Sequence, residues 1–64
     1  MVKYPDVTVK LVGEDGNAFA VLGSVRKALK RAGYHDAVEE YTKEATAGNY
    51  DDLLVVTMKY VNVE

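Results

Sequence analysis

The chain has 64 residues and a net charge of −2, with 48% apolar residues, 28% charged residues and no cysteine. This composition excludes a disordered chain, a disulfide-stapled scaffold and a thiolate zinc site, and no apolar run approaches the ~20 residues that span a bilayer. What remains is one small globular domain, which at this size buries only about 60% of the surface its unfolded chain exposes, so tight packing or a second chain must support its core.

The N-terminal "MVKYPDVTVK" has no continuous hydrophobic segment that would serve as a secretory signal, and a cytoplasmic location is expected. Residues 7–12 alternate Val7, Val9 and Leu11 with Thr8, Lys10 and Val12, the period of a half-buried strand, with Pro5 ahead of it. Gly13 and Gly16 supply turn chemistry, and Asn17 is placed to cap a helix over 18–32. Along that helix Ala18, Val21, Leu22, Val25, Ala28, Leu29 and Ala32 form one apolar stripe, and Gly33 suits a left-handed C-terminal cap. Asp36 is expected to cap a second helix running to about Ala47, with Val38, Tyr41 and Ala45 on its inner face and Gly48 as its stop. Glu39 and Lys43 pair on its outer face.

The last segment reads two ways. At helical spacing Tyr50, Leu53, Leu54, Thr57, Met58 and Val61 share a stripe behind an Asn49 cap; at period two, Leu54, Val56, Met58 and Tyr60 line a strand. The cap chemistry favours a helix from about Tyr50 to Lys59, followed by a short strand at Val61 to Val63. The resulting order is β-α-α-α-β, an α+β fold in a single domain over 1–64, with a two-stranded sheet covered by helices. Both strands would be edges, and a homodimer with a joined four-stranded sheet would remove one of them.

The glycine turn does not match a phosphate-binding loop. Gly13, Gly16 and Gly23 fit neither the Walker nor the dinucleotide spacing, and Glu14 and Asp15 would oppose an anion at the helix start. The oxygen ligands of a calcium loop are missing as well. Catalysis has little support: no thiol is available, His35 beside Asp36 lacks a third group, and Ser24 sits on another element. Asp51 and Asp52, adjacent on a helix, point about 100° apart. No enzymatic activity, cofactor or metal is expected.

One surface stands out. At helical spacing Phe19, Gly23, Arg26 and Lys30 line up beside the apolar stripe, with Lys27 and Arg31 further round, and residues 26–31 hold four cations and no acid. Gly23 inside a helix costs about 1 kcal/mol against alanine, which implies close approach by another element or by a partner. The expected function is binding of a protein partner through this face or through the acidic face of the second helix, with nucleic acid as the runner-up and no membrane. The pI of about 5.3 counts against a dedicated nucleic-acid domain.

The stretches "DGNAF", "LG", "ALKRAG" and "EATAGNYDDLL", together with Met58 and the ending "VNVE", resemble a family of small acidic proteins of bacteria and of their phages and plasmids. The resemblance covers nearly the whole chain and departs at Asn49 and Tyr60, where an acid and a tryptophan are expected. It implies a stand-alone small domain, an accessory of a mobile element, and carries no substrate, cofactor or catalytic residue.

Overall fold

Strand β1 (Tyr4–Val9), helices α1 (Ala18–Arg31), α2 (His35–Ala45) and α3 (Tyr50–Tyr60), and strand β2 (Val61–Val63) follow one another along the chain. The computed structural model describes residues 1–11 and 17–64; the expected turn at Gly13 and Gly16, with Glu14 and Asp15, lies outside the described residues. The α+β order read from the sequence holds, and β1 and β2 pair in parallel. Parallel strands require a long crossover, which the three helices provide.

The strand alternation is observed, with Val7 and Val9 buried and Thr8 and Lys10 exposed. Its boundaries differ from expectation: β1 starts at Tyr4, includes Pro5 and stops at Val9. The register explains how proline is accommodated. Tyr4 pairs with Val61 and Thr8 with Asn62, so Pro5, Asp6 and Val7 form an irregular stretch of β1 where no ladder donor is needed. The Asn62 side-chain Nδ2 donates to the Pro5 carbonyl at 2.7 Å and holds this stretch to β2.

Helix α1 has the expected caps. The Asn17 side chain accepts from the Ala20 amide at 3.1 Å, and Gly33 turns the chain with φ of 90°. Val21, Val25 and Leu29 are buried, whereas Ala32 at the end of the stripe is exposed. Asp36 does not cap α2. It lies inside the first turn, and Tyr34 holds the N-cap position without a side-chain cap bond. The Gly33 reversal leaves room for only Tyr34 before α2 begins, and the Tyr34 hydroxyl is committed to Asp6 at 2.6 Å. Helix α2 ends at Ala45, short of Ala47.

The Asn49 cap of α3 is a full capping box: Asn49 accepts from the Asp52 amide at 3.0 Å, and Asp52 accepts from the Asn49 amide at 3.1 Å. Gly48 follows the end of α2 and leaves room for this box, since a Cβ there would lie 2.9 Å from the Asp52 Cβ. The buried face of α3 is Leu53, Val56, Thr57 and Tyr60, rotated from the expected stripe, and Met58 is 55% exposed. The rotation follows from β2 starting at once after Tyr60, which brings that ring under the sheet. There it packs edge-on to Tyr41, with ring centroids 5.4 Å apart.

Val7 and Val9 from β1 join Val21, Val25, Leu29, Tyr41, Leu53 and Val61 in one core between the sheet and the helices. Thr8 faces away from this core. The helices therefore cover a single face of the sheet, and the outward surfaces of α1 and β1 meet along one side of the molecule.

Candidate interaction surface

The apolar stripe of α1 fixes the direction of its opposite side. With Val21, Val25 and Leu29 inward, Phe19, Gly23, Arg26, Lys27, Lys30 and Arg31 are all exposed. Phe19 is 87% exposed. The four cations form no ion pair with any described residue. No acid stands in the first turn of α1, while Lys30 and Arg31 in the last turn complement the helix dipole.

The sequence implied close approach at Gly23. Among the described residues nothing lies within 4 Å of where a Cβ would be, so no described element explains this glycine. The missing side chain instead leaves a shallow groove of about 320 Å³ between Gly23, Arg26, Lys27 and Lys30. On one flank Phe19 joins Leu22, Ala45, Tyr50 and Leu53 around a more apolar cleft of about 220 Å³. On the other flank Lys27 and Arg31 turn towards β1. With Thr8, Lys10 and Ala28 they line a groove of about 190 Å³.

The structure thus brings the six sequence-predicted residues onto one side of α1 and adds Thr8 and Lys10 to them. Sequence reasoning missed Lys10 because it lies far along the chain from the basic run. The available signal was its place on the polar phase of β1, next to the helix that follows in a β-α unit.

A second polar cluster lies at the opposite end of β1. Lys3 pairs with Glu40, its ammonium 4.8 Å from the centre of the Tyr60 ring. The Tyr60 hydroxyl lies 3.0 Å from both Glu40 and Glu44, one helical turn apart, and its single proton serves one carboxylate at a time. Burial, then the two carboxylates, push the Tyr60 phenol above its ordinary range. Hydrogen bonds from Lys3, then Tyr60, hold Glu40 below the usual carboxylate value. These groups satisfy one another and tie the N-terminus to α2 and α3.

His35 is exposed at the first position of α2. Among the described residues no group of three or more histidine or carboxylate side chains is arranged to hold a metal, and no helix is long and apolar enough to cross a membrane. Compared with family models, curated proteins and solved structures, the chain has no match in any of the three.

Proposed function

We propose that the protein is a small cytoplasmic interaction module without catalysis of its own, which docks another protein on the outer side of α1. The observation that carries this reading is the exposed row Phe19, Gly23, Arg26 and Lys30, with an open groove over the glycine and no ion-pair partner for the cations among the described residues. Aromatic residues and arginine dominate the energetics of protein interfaces, and Phe19 offers an anchor already in solvent. Gly23 lets a partner backbone reach the helix. An accessory role in a mobile element agrees with the family resemblance.

Nucleic acid is the second reading, favoured by the convergence of Lys10 with the α1 cations at the β1 groove. A net charge of −2 weighs against it. Capture from host lysate with the wild-type chain and the Arg26→Glu/Lys30→Glu variant, at low and high salt and with nuclease, separates them. Salt-resistant, nuclease-resistant capture lost in the variant supports a protein partner. Capture abolished by nuclease and by salt assigns nucleic acid. Capture unchanged in the variant refutes the surface.

A further inference from the structure

This inference rests on the docking role of α1 and specifies what docks. β1 uses one edge only. The Glu64 amide donates to the Val9 carbonyl at 2.9 Å, and the Leu11 amide donates to the Glu64 carbonyl at 3.2 Å. Val9 and Leu11 therefore aim their peptide groups at β2. Strand alternation sends those of Thr8 and Lys10 to the opposite edge. Among the described residues the sheet has two strands, and none of these residues takes up that edge. An unpaired edge is a template for another extended chain.

The surroundings of this edge select the chain. Two shallow grooves of about 190 and 210 Å³ run beside it, both walled by Ala28 and Arg31 of α1 and both lined by Thr8. Alanine at 28 keeps that wall low. Among the described residues, Lys10, Lys27 and Arg31 bring three cations to the grooves against one acid, Asp6, which already accepts a hydrogen bond from Tyr34 at 2.6 Å. We propose that an extended acidic segment of a partner protein adds to the open edge of β1 as a third strand. Its backbone pairs with Thr8 and Lys10, and its carboxylates meet Lys10, Lys27 and Arg31.

A second copy of the chain fits less well. Antiparallel pairing about Thr8 would set Asp6 opposite Lys10, yet it would bring two copies of the Lys27 and Arg31 flank together. A basic strand fails for the same reason, and nucleic acid offers no peptide ladder.

The test titrates the full chain into fluorescein-labelled peptides by fluorescence anisotropy. The probe is a short peptide of alternating glutamate and valine; controls carry lysine for glutamate, or N-methyl groups on alternate amides in either phase. Saturable binding of the glutamate peptide is expected. One N-methyl phase should weaken it at least tenfold and the other far less, since only one edge of the peptide faces β1. Lys27→Glu/Arg31→Glu should also weaken it at least tenfold and favour the lysine peptide. Amide exchange of Thr8 and Lys10, followed by NMR, should slow on binding.

No saturable binding at millimolar peptide refutes the proposal. So does binding indifferent to both N-methyl phases, which leaves charge attraction alone. A free chain that sediments as a dimer with Thr8 and Lys10 already protected assigns the edge to self-association and overturns it too. In each case lysate capture that still depends on Arg26 and Lys30 would leave the broader docking role standing.

Discussion

The buried Tyr41 and Thr57 pair yields a prediction whose sign depends on which atom donates. Both residues are 0% exposed, and their hydroxyl oxygens are 2.7 Å apart. The Thr57 hydroxyl also donates to the Leu53 carbonyl at 2.8 Å, which spends its only proton. The chain of bonds therefore runs from Tyr41 to Thr57 to Leu53, with Tyr41 as donor. Tyr41→Phe removes the donor and leaves the Thr57 proton on Leu53, at a cost of about 1 kcal/mol. Thr57→Val is nearly isosteric, but it strands the phenol proton in a dry core and should cost roughly 2 kcal/mol. For a domain of this size 1 kcal/mol shifts Tm by roughly 4–8 °C. Thermal unfolding followed by circular dichroism should thus rank wild type above Tyr41→Phe and Tyr41→Phe above Thr57→Val. Adding Tyr41→Phe to Thr57→Val should raise Tm, because it removes the stranded donor. If the second substitution lowers Tm further, or Tyr41→Phe is the worse single change, the assigned direction is wrong.

Gly23→Ala should stabilise the free protein by about 0.5–1 kcal/mol, because a helix interior prefers alanine and the site is open; a lower Tm would reveal a contact at that backbone. Gly48→Ala should lower Tm, because the new Cβ would lie 2.7 Å from the Asp52 Cγ and force the capping box open at a cost of roughly 1 kcal/mol. An unchanged Tm would mean the box contributes nothing. Tyr60 has a folded pKa raised by burial first and then by Glu44 and Glu40, so its contribution is full below the unfolded phenol value and is lost as pH rises beyond it. A Tm profile should therefore fall above pH ~10, and less steeply in Tyr60→Phe; parallel profiles would refute the assignment. Glu40 is depressed by its hydrogen bond from Lys3, so its contribution is present above the unfolded carboxylate value and is lost as pH falls through the folded one. Glu40→Gln should flatten the Tm profile below pH ~4.5, and an unaltered acid limb would contradict that.

Local chemistry made much of this fold legible. Asn17 and Asn49 carry their caps in their own side chains, and the spacing of Val21, Val25 and Leu29 encodes a buried face without reference to anything distant. The misreadings arise where a distant partner decides. Asp36 has the chemistry of a cap, but the hydrogen bond between Tyr34 and Asp6 belongs to β1 and α2 together and is invisible to a local reading. The face of α3 turned on whether Met58 or Tyr60 points inward, and Tyr41 and β2 settle it in favour of the tyrosine. The same divide runs through the candidate site. Six residues on one helix could be read from its period, whereas Lys10 and the open edge of β1 needed the parallel pairing to bring strand and helix side by side.

The distribution of satisfied and unsatisfied groups gives the interaction reading its physical basis. Beneath the sheet every buried side-chain polar atom among the described residues has a partner, and Lys3, Glu40, Glu44 and Tyr60 close on one another. On the outer side of α1 the local rules for stability are broken together. Gly23 weakens the helix, Arg26 with Lys30 and Lys27 with Arg31 repel at i,i+4 by about 0.2–0.5 kcal/mol each, Phe19 stands in water, and no described residue pairs with the outer edge of β1. A 64-residue domain has little stability to spare for so many unfavourable features. Scattered, they would signify nothing; gathered on one helix and its neighbouring strand edge, they are the features that an acidic, extended partner would relieve at once.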